Sequence, residues 1–334
     1  MTATIEGERR EQPVGKTRAR EDIPAPVSTT QFSELAVIIP AFNEEAAVEA
    51  TLREIRAAVP EAEVLLVDDG SGDRTGELAA GVPGVQVLVH RRNRGYGASL
   101  KTAVHSTNRP VVIWYDADGQ HRPEDLVAVA TPVLADKEDM VIGVRSKGSA
   151  KQRDRAAGKL VLYLVARIIS GEAIPDLNSG LRAFRRDLLL RYLHLLPDGF
   201  SASTTSTLMM LKAGHRVGYV PIVTKHRLGK SSVKMVRDGM RTLHLIVRIV
   251  VLFDAFKIFT LLGALLLFPG LTYGLVVAFT RRGGFPTLAE TLVLAGLLTF
   301  FIGIVADQVV ELRKERFQEH QGVWRDREGP RKDR

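Results

Sequence analysis

The chain has 334 residues and a formal net charge of +8, from 46 lysines and arginines against 38 aspartates and glutamates. That length holds one large domain with added elements, and the basic balance favours an anionic partner such as a phosphorylated substrate, anionic lipid or nucleic acid. No cysteine is present, which excludes disulfides, cysteine zinc sites and thiol catalysis.

Residues 1–34 are polar, charged and proline-containing. They lack the apolar centre of a signal peptide and are expected to form a disordered cytosolic leader. Residues 35–230 then read as one soluble unit. LAVIIPAF (35–42) predicts a buried strand, and EEAAVEATLREIRAAV predicts an amphipathic helix. EVLLVDDG (63–70), VQVLVH (85–90), VVIWYDAD (111–118) and DMVIGVR (139–145) predict four more strands. A glycine-containing turn, NRGYGAS, and a helix follow the third, and a helix opening at Pro123 follows the fourth. Apolar strands alternating with helices predict an α/β fold with a mainly parallel, Rossmann-like sheet covered on both faces. Ligands bind such sheets beyond the carboxyl ends of the strands, so Asn43, Glu44, Asp68, Asp69, Asp116 and Asp118 should converge on one crevice.

Residues 231–256 predict a juxtamembrane helix, with Lys234, Arg237, Arg241, His244 and Arg248 forming a basic stripe beside Val236, Met240, Leu243 and Val247. Such a helix suits an interface with membrane lipids. KLVLYLVARII (159–169) suits either the core or the interface. Residues 257–310 should form two transmembrane helices: Ile258 to Thr280 is an uncharged run, and Ala289 to Val310 is charged only at Glu290 and Asp307. Each matches a hydrocarbon core roughly 30 Å thick. Residues 311–334 form a charged tail. Arg241, Arg248 and Lys257 precede the spans, Arg313, Lys314 and Arg316 follow them, and only Arg281 and Arg282 lie between. This bias predicts that the soluble domain and both termini lie in the cytoplasm. Glycines in the spans permit close helix packing, including that of a homo-oligomer.

Acidic residues after strands usually make turns or caps, and Asp73 is expected to do only that. Asp116 and Asp118 are different. Two carboxylates so close repel each other and need a cation or a shared proton. With Gln120 they form an oxygen set suited to Mg²⁺ or Mn²⁺, whose shell is completed by water and substrate phosphates. A lone histidine gives no metal geometry, so His121 is expected to support the fold or the ligands. NRGYGAS ends G-x-G-x-x-L, which leaves the dinucleotide fingerprint incomplete.

VIIPAFNEE (37–45), VDDGSGDRT (67–75), NRGYGAS (93–99), DADGQH (116–121) and DLNSGLRAF (176–184) stand in this order. Together they resemble the inverting glycosyltransferases of family 2, with the GT-A fold, over roughly residues 35–235. With the C-terminal hairpin the resemblance is to polyprenyl-phosphate glycosyltransferases, such as dolichol-phosphate mannose synthase and bacterial glucosyl relatives. It implies that Pro40, Phe42, Glu44, Asp69 and Asp116 hold the donor nucleotide sugar, and that Asp116, Asp118 and Gln120 hold the metal. Asp118 and Asp176 are the implied catalytic residues; for Asp176 an ordinary loop or cap role stands beside that of positioning the reacting groups. Arg145, Arg153 or Arg155, Arg227 and Lys230 would bind the phosphate of the polyprenyl acceptor.

The sequence departs from the family in two places. Ser232 stands where relatives often carry lysine, and GFSASTTSTL (199–208) is rich in hydroxyls where mannose synthases often carry acidic residues. The second departure tilts the expected donor toward a UDP-sugar rather than GDP-mannose. Two alternatives compete: a glycolipid or polysaccharide synthase with a hydroxyl acceptor, and a non-enzymatic membrane scaffold. QGVWR (321–325) holds the residues of the Q-x-x-R-W element of polysaccharide synthases in the wrong order, beyond the last span. The intact acidic pair counts against the scaffold. Nucleic acid is not an expected partner.

Overall fold

The computed structural model describes residues 29–146, 167, 174–199, 201–225, 255–281 and 284–325. Four βα units open the fold: β1 (Leu35–Ala41) and α1 (Val48–Ala58), β2 (Glu63–Asp68) and α2 (Thr75–Ala80), β3 (Val85–Val89) and α3 (Tyr96–Ser106), β4 (Val111–Trp114) and α4 (Pro123–Leu134). β5 (Met140–Arg145), β6 (Arg182–Arg185), α5 (Arg186–Tyr192), α6 (Ala202–Lys212) and β7 (Val217–Ile222) follow. The seven strands make one sheet in the order β3-β2-β1-β4-β6-β5-β7. β6 runs antiparallel to both of its neighbours, and the other pairs are parallel.

The five predicted strands are present, with β4 ending at Trp114 rather than continuing through the acidic pair. β6 and β7 escaped the sequence reading. β6 is only RAFR, an apolar pair between arginines, and carries no alternation to see.

β1 is buried along its whole length, as expected of a strand covered on both faces. Its alternate residues feed two cores. Leu35, Val37 and Ile39 pack with Leu52 and Ile55 of α1 and Val129 of α4. Ala36 and Ile38 pack with Leu100 and Val104 of α3 and Met209 and Met210 of α6. Trp114, fully buried in the second core, lies 4.6 Å from Phe184 between ring centroids. Strand order reverses between β1 and β4, which is where an open α/β sheet leaves a crevice for ligand. Because β6 is antiparallel, the loop leading into it reaches the same sheet edge as the ends of β1, β2, β4, β5 and β7.

The C-terminal segment forms α7 (Ala255–Arg281) and α8 (Thr287–Arg325). Ala255–Thr280 and Thr287–Val309 are long and apolar enough to cross a membrane, with mean hydropathies of 2.0 and 2.2. α8 continues as helix past the span into the charged sequence. The glycines pack the hairpin against itself: a Cβ on Gly296 would sit 2.8 Å from the Gly263 carbonyl oxygen, and one on Gly303 would sit 2.5 Å from Phe259 Cβ. Leu261, Leu265, Phe268 and Phe279 turn outward and are exposed, as suits a lipid-facing surface. Residues 1–28 of the leader, the 159–169 stretch apart from Arg167, and the basic stripe of 231–254 lie outside the described residues; the leader's last six, Thr29–Glu34, instead form a 3₁₀ helix, because Phe32 packs into the first core.

Candidate active site

The loops after β1 and β2 are knitted together mainly by backbone groups. Asn43, held at φ 56°, accepts the Gly72 N–H through Oδ1 at 2.9 Å. Glu44 N donates to Thr75 Oγ1 at 2.8 Å. Asp73 accepts from Thr75 N at 3.0 Å and from Glu45 N at 3.3 Å, so it stabilises the start of α2 as expected of a structural residue. Asp69 is buried and committed. Its carboxylate accepts from Arg94 N at 2.9 Å and Gly95 N at 2.7 Å, and His90 Nδ1 lies 2.7 Å away. A carboxylate only accepts, so His90 Nδ1 donates to it, and Nε2 lies 2.9 Å from the Thr102 hydroxyl. Asp69 thereby fixes the NRGYG turn. The glycines of that turn admit a neighbouring loop rather than a dinucleotide: a Cβ on Gly97 would lie 1.9 Å from the Pro197 carbonyl oxygen.

β4 delivers Asp116 and Asp118 to the same edge. Asp116 is half-buried. Tyr96 donates its hydroxyl to Oδ1 at 3.1 Å, and His121 Nε2 lies 3.5 Å from Oδ2. Burial alone would raise the Asp116 carboxyl; the contacts with His121 and Tyr96 and the nearby Arg182 charge outweigh it and hold it below the usual carboxylate range. Gly180 makes room for it, since a Cβ there would fall 2.0 Å from Asp116 Oδ2. Asp118 is buried and accepts Gln120 N at 3.2 Å. Gln120 directs its amide nitrogen to Lys225 O at 3.3 Å, and Lys225 N returns a bond to Gln120 O at 2.8 Å. This pins the acidic loop to the chain leaving β7. The chemistry of the pair fits a hard divalent cation: two carboxylates, one of them held anionic. Among the described residues no group of three or more histidine and acidic side chains is gathered for a metal, so a cation here would share its shell with water and ligand.

On the far side of the crevice Arg145 and Asp176 form a fork, with Nε to Oδ2 at 2.7 Å and Nη2 to Oδ1 at 2.9 Å. Burial opposes ionisation of Asp176, yet Arg145 and the Asn178 N–H keep its pKa depressed. Beneath them Arg182 is fully buried. It donates to Ser179 O, Ser203 O, Ser206 Oγ and Thr207 Oγ1, the last two at 3.0 Å. Its guanidinium carbon lies 5.9 Å from the centroid of the Trp114 ring. Burial pulls its pKa down to about 10, which leaves it a cation at neutral pH. Within the hydroxyl-rich stretch, Ser206 and Thr207 of α6 thus face inward to hold Arg182, and Thr204 meets Asn178.

The structure brings Phe42 and Glu44, Asp116 and Asp118, and Arg145 and Asp176 to one sheet edge; Pro40 stays buried within β1. Arg153, Arg155, Arg227 and Lys230 lie outside the described residues. Sequence reasoning missed Tyr96, Gly180 and Arg182. Each sits inside a motif that was recognised, but its partner is far along the chain.

The profile described as glycosyl transferase family 2 matches residues 36–193, and the GtrB C-terminal hairpin profile matches residues 256–312. The polyprenol monophosphomannose synthase of Mycolicibacterium smegmatis is 34% identical over 66% of this chain and 89% of its own length. The dolichyl-phosphate hexose transferase of Haloferax volcanii is 31% identical over 62% of this chain and 90% of its own. Among solved structures, glucosyl-3-phosphoglycerate synthase from Mycobacterium tuberculosis, in complex with Mn²⁺, UDP and phosphoglyceric acid, superposes with a TM-score of 0.56 at 20% identity. That match covers 70% of this chain and 84% of the other, and it establishes a shared fold.

Proposed function

The chain belongs to glycosyl transferase family 2, and from that premise we propose that it moves a single sugar from a nucleotide-sugar donor to polyprenyl phosphate, with inversion, at the cytoplasmic face of a membrane. The observation that carries this reading is the pairing of an acidic crevice with an arginine fork on one sheet edge, in a chain that ends in two membrane-length helices. By their names, the two relatives above are a dolichyl-phosphate hexose transferase and a polyprenol monophosphomannose synthase.

The donor lies over β1 and β4, with Phe42 and Glu44 framing the nucleoside; the buried Pro40 and Asp69 serve it indirectly, through β1 and the NRGYG turn. Asp116, Asp118 and Gln120 would hold Mg²⁺ or Mn²⁺, which when bound offsets charge on the diphosphate. The acceptor is a phosphate monoester with a second pKa of about 6, so at neutral pH it is largely a dianion and needs no strong base. One of its oxygens bonds to the anomeric carbon as the bond from that carbon to the nucleoside diphosphate breaks. Arginine suits this acceptor because its planar fork matches phosphate geometry. Arg145, oriented by Asp176, fills that role, joined by Arg227, Lys230 and Arg153 or Arg155.

The deciding experiment offers UDP- and GDP-sugars with polyprenyl phosphate to the detergent-solubilised protein. Formation of a polyprenyl-phosphate sugar is expected. Transfer only to a lipid hydroxyl would favour the glycolipid synthase, and no turnover with any donor would favour the scaffold. The topology has its own test, helped by the cysteine-free background. Cysteines placed singly at residues 20 and 325 should resist an impermeant thiol reagent in sealed cells, and one in the connection at Gly284 should react.

A further inference from the structure

We propose that Arg182 is a positioning residue: its guanidinium locks the loop 176–181 onto α6, and through that loop it sets both the donor-side carboxylate Asp116 and the acceptor-side pair Arg145–Asp176. The proposal rests on the function given above, in which those two groups serve donor and acceptor.

Arg182 is 0% exposed. Among the described residues its hydrogen bonds all go to neutral oxygens: Ser179 O, taken by both Nε and Nη2, and Ser203 O, Ser206 Oγ and Thr207 Oγ1, taken by Nη1. Burying a cation without a carboxylate in hydrogen-bond contact carries a heavy desolvation penalty. An apolar residue would fill the space beside Trp114 and Phe184 at less cost. The charge therefore needs a use beyond packing.

The geometry supplies one. Ser179, gripped twice, precedes Gly180, whose bare Cα lets Asp116 in. Asp176 stands at the head of the same loop and holds Arg145. Asn178, between them, meets Thr204 of α6 at 3.3 Å. Asp116, Asp176 and Tyr96 all lie within the field of the guanidinium. The anionic walls of the crevice thus share one buried counter-charge, which reaches them through a single short loop. Lysine could not replace it, having three donors on a point charge where arginine has five in a fork.

The test uses the full chain in detergent. Arg182→Lys keeps the charge and loses the fork. Mn²⁺ affinity is read by electron paramagnetic resonance with the metal alone, and acceptor KM from transfer to polyprenyl phosphate. In a variant that circular dichroism shows to be folded, both should weaken, by about tenfold or more, as when a residue supporting metal ligands is removed. Tyr96→Phe, which touches Asp116 and not the fork, should move the Mn²⁺ reading more than the acceptor KM. If Arg182→Lys is expressed unfolded, Ser206→Ala with Thr207→Val removes two of the cage acceptors and leaves the arginine. That pair should shift both readings the same way by a smaller factor. A lower Tm with Mn²⁺ affinity and acceptor KM unchanged, in either variant, would make Arg182 a packing residue and overturn the proposal. Should the wild type transfer nothing, the function above falls, while the Mn²⁺ reading still decides the role of Arg182.

Discussion

The two walls of the crevice are built by different means. On the wall proposed for the donor, the loops after β1 and β2 are held mostly by side chains that accept backbone N–H groups: Asn43 from Gly72, Asp73 from Thr75, Asp69 from Arg94 and Gly95. On the wall proposed for the acceptor the decisive contacts join side chains distant in sequence: Arg145 to Asp176, and Arg182 to Ser206 and Thr207. A wall held by many local bonds from side chains to nearby backbone N–H groups should tolerate the loss of one side chain better than a wall held by a few long-range charged contacts. Such charges leave a partner unpaired when one is removed.

The largest effect should come where the walls meet the donor. Asp118→Ala is expected to lower transfer by about a hundred- to a thousandfold, the range seen when one group stabilising developing charge is lost. Excess EDTA should do the same to the wild type. Thermal melts should show the variant folded, because Asp118 lies on the loop beyond the end of β4. Full turnover in EDTA would remove the metal from the donor wall and leave the comparison without its chemical half.

Next comes the acceptor fork. Asp176 is buried, so Arg145→Ala leaves a carboxylate with its main partner gone, and should destabilise the fold by about 3 kcal/mol. Arg145→Ala with Asp176→Asn should recover part of that loss. Denaturant melts of the two single variants and the double one measure the coupling. Strict additivity would mean that the fork holds nothing, and the contrast between the walls would disappear.

How much of this was legible in sequence follows the same division. The donor wall was readable because its signals are local. An apolar run ending in Asp, Asn and Gly announces a strand and its turn within ten residues, and the edge that gathers Asn43, Asp69, Asp116 and Asp118 follows from parallel topology. The hairpin was readable for the same reason, as composition over one window. β6 was not, because RAFR owes its place to pairing with β4 and β5 on either side. Arg182 was not, because its cage comes from α6 and no spacing along the chain announces it. The inward use of Ser206 and Thr207 was hidden for the same reason, since their hydroxyls hold an arginine on another element.

A glycine pair sharpens the donor side at smaller scale. Gly97→Ala would drive a methyl to 1.9 Å from Pro197 O, an overpacking that should lower stability by about 1–3 kcal/mol. At Gly72, where nothing lies within 4 Å, the same substitution should be close to neutral. Equal melting temperatures for the two variants would mean that the NRGYG turn gives way rather than holding the 197–198 loop.

The smallest expected effect is acid sensitivity, and its sign separates the walls again. Asp73, Asp116, Asp139 and Asp176 all have depressed pKa values in the folded protein. A carboxyl more acidic in the folded than in the unfolded chain binds its proton less readily there. Its contribution is therefore complete above the unfolded pKa of about 3.9 and is lost as pH falls through the folded value. Asp125 works in the opposite sense, because burial raises its pKa; its ionisation is penalised near neutral pH, and that penalty lifts on acidification. The net expectation is a Tm that drops as pH goes from 5 to 3. Asp176→Asn should flatten that drop more than Asp73→Asn, since Asp176 answers to a guanidinium in a buried fork and Asp73 to Thr75 and a backbone amide near solvent. Melts of the wild type and both variants at pH 3, 4, 5 and 7 give the comparison directly. If Asp73→Asn flattened the curve as much as Asp176→Asn, the acceptor wall would depend on its long-range charge pairs no more than the donor wall depends on its local ones.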